Sequence, residues 1–308
     1  MNRLLIVYAV VASAMLGLLL LRSNTESKDP ASTQAPPPVD DRNLPQIVKG
    51  VDLDKSYDFA GEELPIQENF DVRERLDREL MVNSYWHSST SLNIKKAYRY
   101  FPVIEPILKK HGIPDDFKYL AVAESNLSHA TSPAGAKGLW QFMPTMADYY
   151  DLEVNREVDE RFHVEKITDA ACKYIQHLKD RFGSWTLAAA AYNMGETRMA
   201  RDLEQQRADS YFDLNLNEET SRYVFRIIAI KEILKDPQRF GFYFDKSDGY
   251  QPLNDYKTIT VTESIGNLGD FAEEHDTSYR LLKVYNPWLL SHTLTISSGN
   301  SYEIRVPK

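Results

Sequence analysis

From Asp71 to about residue 240 apolar residues recur at a helical period, and no alternating pattern interrupts them, so sheet is excluded from the largest part of this 308-residue chain. FDVRERLDRELMVNSYW places Val72, Leu76, Leu80 and Met81 near one face. ILKKHGIPDDFKYLAVAES carries Gly112 as a stop, Pro114 at a turn, and Asp115 or Asp116 as a cap for the next helix. VEKITDAACKYIQHLKDRFG closes at Gly183, SWTLAAAAYNMGETRMARDLE continues the period, and RYVFRIIAIKEILKDP ends at Pro237. The spacing predicts a mainly α protein with a helical domain over 71–245.

The flanks read differently. YKTITV (256–261) and SYEIRVP (301–307) alternate, and NLGDFAEEHDTSYRLLKVYN between them gives two short helices. A small α+β unit of βααβ order is expected over 250–308. Residues 46–70, with short pieces such as VDLDKSYDF, form an uncertain lead-in. Residues 23–45 are rich in Pro, Ser, Thr and Asp and predict a semi-extended tether.

Residues 1–22 are expected to be a membrane anchor or a signal. Leu4–Leu21 is free of charge, is flanked by Arg3 and Arg22, and is just long enough to span a bilayer. An uncleaved anchor is the preferred reading. A cleaved signal is the alternative, because Ala12-Ser13-Ala14 forms an A-x-A triplet, but cleavage there would leave MLGLLLL as a new N-terminus. No cysteine stands near residue 20 to take a lipid. Both readings put the body outside the cytoplasm. A bacterial periplasm suits a chain whose single cysteine, Cys172 in AACKYI, permits no internal disulfide and no thiolate metal cluster. The net charge of −9 leaves no basic footprint for nucleic acid.

The candidate chemistry sits at AESNLSHATSPAGAKGLWQFMP. Glu124 follows Phe117, Leu120 and Ala121 at i+7, i+4 and i+3, so it lies on the apolar face of its helix. A carboxyl placed there has its pKa raised by desolvation and can serve as a general acid. The bland alternative is a surface Glu at a frayed helix end. Pro133, Gly135 and Gly138 let the next segment fold back and present Gln141 beside Glu124, with Trp140, Phe142 and Met143 lining an apolar groove. Tyr192 shares a face with Trp185, Ala188 and Ala189 and has a plain core reading. Asn193 before Gly195 fits an ordinary helix end. Glu218 and Glu219 follow Asn217 in a first turn where acids are favoured. Glu219 and Tyr223 are i, i+4 neighbours able to act on one site.

Taken in order, E-S-x(6)-S-P-x-G-A-x-G-L-W-Q-F-M-P, AAAAYNMGE (188–196) and NEETSRYV (217–224) resemble the three motifs of the bacterial lytic transglycosylases with a soluble-lytic-transglycosylase, lysozyme-like domain. The match covers roughly residues 100–230. Trp140 replaces the usual Met of GLMQ, as in the membrane-bound D-type branch. The resemblance implies Glu124 as single catalytic acid/base, with Ser132, Gln141, Met143, Tyr192, Asn193, Glu219 and Tyr223 binding substrate. It implies peptidoglycan glycan strands as partner, cleavage between N-acetylmuramic acid and N-acetylglucosamine to a 1,6-anhydromuramoyl end, and no metal or organic cofactor. A hydrolytic muramidase and a non-catalytic peptidoglycan-binding scaffold are the alternatives. Residues 256–307 resemble a LysM module, with Asn286 near the second helix end. ESIGN stands where such modules usually carry Gly-Asp-Thr, so a bracing role stays open beside glycan binding.

Overall fold

Helix α1 (Phe70–Tyr85) begins where Asn69 offers its Oδ1 to the backbone N–H groups of Asp71 and Val72, at 3.1 and 3.4 Å. The structure, a computed structural model, describes residues 50–308, so the expected anchor and tether lie outside the described residues. After α1 come α2 (His87–Lys110), α3 (Lys118–Ser125), α4 (Pro144–Tyr149), α5 (Val164–Phe182), α6 (Trp185–Met194), α7 (Glu196–Gln206) and α8 (Glu218–Lys235). The protein is mainly α, as the period requires. Gly183 ends α5 at φ 74°, and Gly195, at φ 87°, divides the expected single run of 184–204 into α6 and α7.

Helix α8 organises the body. Tyr223, Val224, Phe225, Ile227, Ile228, Ala229, Ile230 and Ile233 are all buried, so the helix is apolar nearly all round and runs through the core. It packs against α1, α3 and α6. Val72, Leu76 and Leu80 of α1 face it fully buried, but Met81 is 41% exposed. One residue past Leu80 is about 100° around the helix, and Asn83 and Ser84 complete the buried face instead.

The lead-in is part of the core. Leu53, Tyr57, Phe59, Leu64 and Ile66 are buried in the main cluster. Strands β1 (Asp58–Phe59) and β2 (Glu62–Glu63) pair antiparallel, Asp58 opposite Glu63. Phe59 packs on Phe117 at 5.0 Å between ring centroids. The carboxylate of Glu62 accepts the N–H groups of Trp185 (2.6 Å) and Thr186 (2.9 Å), capping α6 from a distant part of the sequence. Asp115 and Asp116 do not cap α3. A 3-10 turn at Asp115–Phe117 leads into it with no side-chain cap. Asp116 instead accepts from Lys231 Nζ (2.6 Å) and from the Ala60 N–H (2.8 Å), so its carboxylate is committed to partners other than the helix end.

Strands β3 (Tyr256–Val261) and β4 (Tyr302–Pro307) pair antiparallel, with α9 (Leu268–Glu274) and α10 (Tyr279–Tyr285) between them in sequence, the expected βααβ order. Asn286 is fully buried. Its Nδ2 donates to Leu282 O (2.9 Å) and Arg305 O (2.6 Å), and its Oδ1 accepts the Arg305 N–H (2.8 Å), which ties the end of α10 to β4. The core of this unit includes Leu268, Leu282, Trp288, Leu289, Ile304 and Val306, together with Val158 and Phe162 from the helical body. Among the described residues no helix is long and apolar enough to cross a membrane.

Candidate active site

Glu124 stands in the last turn of α3, which ends at Asn126 in the left-handed conformation, φ 50°. Phe117, Leu120 and Ala121 beneath it are fully buried, so the apolar-face register holds. The carboxyl keeps some solvent access but is mostly enclosed. Burial raises its pKa from 4.5 to about 7; the Tyr223 hydroxyl bonded to it opposes the rise, the Glu219 charge adds to it, and Arg226 again opposes it.

Helix α8 supplies these perturbing groups. Glu219, Tyr223 and Arg226 recur at i, i+4 and i+7, one stripe facing the end of α3. Tyr223 is 2% exposed and donates its O–H to Glu124 Oε1. Glu219 lies in the first turn, behind an Asn217 cap whose Oδ1 accepts the Thr220 N–H at 3.0 Å. From the end of α6, Asn193 Oδ1 accepts from Thr220 Oγ1 (2.8 Å), and its Nδ2 reaches Glu219 Oε1 at 3.5 Å. Tyr192 donates to Trp140 O at 2.6 Å. Burial, and then the charge of Glu124, holds the Tyr192 phenol well above its usual pKa, so it stays a neutral donor beside the carboxyl.

The segment after α3 folds back as expected, and many of its carbonyls accept hydrogen bonds from within the fold. Ser125 Oγ bonds Ala121 O (3.1 Å) and Leu139 O (2.9 Å), joining the helix end to the loop. Arg161 Nη1 donates to Gly135 O (3.1 Å) and Phe142 O (3.2 Å). Lys137 and Phe142 exchange backbone bonds, each at 3.1 Å. Gly138 has φ 79°, and a Cβ there would stand 1.9 Å from Arg161 O, so the position admits glycine alone. Gln141 holds φ 50°, an uncommon value for a residue with a side chain. Its Nε2 donates to Gly138 O (2.9 Å) and Ala130 O (3.3 Å), which turns the carboxamide oxygen into its remaining offer to a ligand.

The structure thus brings Glu124, Tyr192, Asn193, Glu219 and Tyr223 into one linked group. Ser132 lies in the turn of the loop, where its Oγ accepts the Ala136 N–H at 3.0 Å and makes no hydrogen bond to Glu124. Met143 is 39% exposed at the start of α4 and is available to a groove. Trp140 and Phe142 are not groove residues. Both are buried in the core, Trp140 with Nε1 on Thr168 Oγ1 at 2.9 Å. Two contributors stand outside the expected site residues: Ser125, which joins the helix end to the loop, and Arg161, which holds the loop's carbonyls. Arg226 was legible as the next step of the 219–223 stripe. Among the described residues no cluster of three or more His, Cys, Asp or Glu is placed to hold a metal.

Residues 101–215 match the Transglycosylase SLT domain, and residues 257–308 match the Soluble lytic transglycosylase C-terminal LysM-like domain. The membrane-bound lytic murein transglycosylase D of Escherichia coli K12 is 33% identical over 258 residues, covering 81% of this chain and 55% of that protein. The protein of the same name from the O6:H1 strain CFT073 gives the same values. The chain spans about half the length of these curated relatives. The crystal structure of the 70 kDa soluble lytic transglycosylase of E. coli superposes with a TM-score of 0.40 and 20% identity over 47% of this chain and 26% of that one. By its motifs and its matched segments, the chain carries a Transglycosylase SLT domain over 101–215 and an SLT-type LysM-like domain over 257–308, and it is similar to the D-type lytic murein transglycosylases over most of its own length.

Proposed function

We propose that this chain is a peptidoglycan lytic transglycosylase with Glu124 as its single general acid/base. The observation that carries the reading is the state of that carboxyl: enclosed, raised to about 7 by burial, and bonded by the Tyr223 hydroxyl. A carboxyl at that value is substantially protonated near neutrality and can donate a proton to the glycosidic oxygen between N-acetylmuramic acid and N-acetylglucosamine. As the bond breaks, positive charge develops at C1, and the substrate's own acetamido group can share it. Glu124, now a carboxylate stabilised by Tyr223, takes the proton from the C6 hydroxyl of the same muramoyl residue. That oxygen closes on C1 and gives the 1,6-anhydro end. The nucleophile is part of the substrate, so the protein needs to orient it rather than to activate water.

Gln141, Met143, Tyr192, Asn193, Glu219 and Ser132 are assigned to the sugar-binding groove around this centre, within a catalytic domain over 71–245. The LysM-like domain over 250–308 and the curated relatives support glycan strands as the partner. The relatives' printed name and the Leu4–Leu21 segment support a place on the periplasmic side of the inner membrane, held by residues 4–21.

Mass spectrometry of muropeptides released from sacculi tests the reading. Anhydromuramoyl products from the wild-type chain and none from Glu124→Gln are expected. Reducing-end products would make the enzyme a muramidase that uses water. Equal product from both proteins would remove Glu124 from the chemistry.

A further inference from the structure

Between α4 and α5 the chain makes a detour, residues 153–163, that touches two places at once. On one side it enters the C-terminal domain. Val158 and Phe162 are buried in that domain's core. The Asp159 N–H donates to Trp288 O (2.9 Å), and the Leu290 N–H donates to Glu157 O (2.7 Å). Glu157 also accepts from the Thr293 hydroxyl and from the Thr295 N–H, and the Tyr302 hydroxyl donates to Glu153 at 2.8 and 2.9 Å. On the other side the same detour holds the loop that carries Gln141. Arg161 lies between Val158 and Phe162 in sequence and is 2% exposed. Its guanidinium makes a forked pair with Asp159, Nε to Oδ1 at 2.9 Å and Nη2 to Oδ2 at 2.7 Å. Its remaining donors bond Gly135 O and Phe142 O, the two ends of the loop, and its own carbonyl is the surface against which Gly138 packs. Lys137 of the loop completes the set on Asp159 Oδ2 at 3.1 Å.

We propose that Arg161 is a positioning residue for the substrate cradle, and that docking of the C-terminal domain sets where Arg161 stands. The inference rests on the transglycosylase reading for its kinetic consequence but not for its structural one. Arg161 touches neither Glu124 nor its perturbing groups, so loss of the clamp loosens Gln141 and Met143 while the acid keeps its environment. Substrate binding suffers and the pH dependence does not move.

The test uses the full chain in two forms. Arg161→Lys keeps a positive charge on Asp159 but lacks the fork that also reaches both carbonyls. Thr293→Val with Tyr302→Phe removes side-chain bonds of the seam and leaves the Tyr302 ring in place against Trp288. Hydrogen exchange over 130–143, without substrate, is expected to speed up about tenfold in Arg161→Lys and less in the seam variant, with α8 unchanged. On soluble glycan strands KM is expected to rise about tenfold and about threefold respectively, with kcat and the acidic and basic limbs nearly unmoved. Unchanged exchange over 130–143 in either form overturns the coupling. A fall in kcat at constant KM, the mark of a merely lower active fraction, overturns the positioning role. If the wild-type chain releases no anhydro product, the transglycosylase reading falls while the exchange measurement still decides the clamp.

Discussion

The hydroxyl of Tyr223 on α8 is hydrogen-bonded to the carboxyl of Glu124 on α3. The two residues are 99 positions apart in sequence, and the bond joins the central helix of the core to the one acid in the signature loop. The O–H supports the ionised form, whereas burial supports the protonated one. Removing the hydroxyl in Tyr223→Phe therefore lets the Glu124 pKa climb above about 7. The alkaline limb of the pH–rate profile is expected to move up by about one unit, and kcat to fall about tenfold because the carboxylate that accepts the C6 proton in the proposed reaction loses its donor.

Glu219 acts with the opposite sign. Its charge raises the Glu124 pKa, so Glu219→Gln is expected to move the same limb downward. A shift in the same direction as Tyr223→Phe would show that Glu219 works through something other than its charge.

Glu124→Gln should cost a factor of about 1,000 in turnover, the middle of the range for a general acid. It should also stabilise the fold at high pH. The folded pKa of about 7 lies above the ordinary glutamate value of 4.5, so the native state binds more protons between those values and stability falls as pH rises through that window. Above pH 7 the enclosed carboxylate is a burden that Gln lacks, and urea unfolding at pH 8 should favour the variant by about 1–3 kcal/mol. At pH 4 the two proteins should be nearly equal.

Gly138→Ala puts a methyl group 1.9 Å from Arg161 O at φ 79°. No side-chain motion relieves a clash between two backbones, so a loss of about 3 kcal/mol or more is expected in thermal or urea unfolding. A tolerated alanine would mean that the 135–142 loop is less constrained than its hydrogen bonds indicate.

Lys231 is buried in α8 and donates to Asp116 Oδ2, Asp58 Oδ2 and Asp58 O at 2.6, 3.0 and 2.9 Å. Lys231→Met strands Asp116 inside the protein and should cost about 3–5 kcal/mol. Limited proteolysis should then cut first in 50–66, the segment that the ammonium holds to the core.

The elements that obey a period were legible in the sequence. α5 with its Gly183 stop, α8, and the β3 and β4 strands fall where the pattern puts them, because burial of one face forces a repeat of 3.6 or 2. Glu124 was legible for the same reason. Loops carry no period, and there the reading slipped. Trp140 and Phe142 look like groove residues in a Gly-rich stretch but point inward, and Arg161 looks like one more charge in VNREVDERFH. The lead-in was opaque because its buried residues, Leu53, Tyr57, Phe59, Leu64 and Ile66, join the main core at no regular spacing, so no helical or strand period marks them. Glu62 capping α6 is the same case: the donors and the acceptor are more than 120 residues apart, and no local pattern announces them.

Val158 and Phe162 sit inside the core of the C-terminal domain, although more than ninety residues separate Phe162 from the start of β3. That domain is thus not a portable part. Cutting the chain near residue 250 would leave two apolar side chains of the body facing water and open a hole in the excised piece. Exchange of this domain with one from another protein would have to carry the 153–163 detour along with it. In inheritance, as in the test tube, the two stretches are expected to travel together.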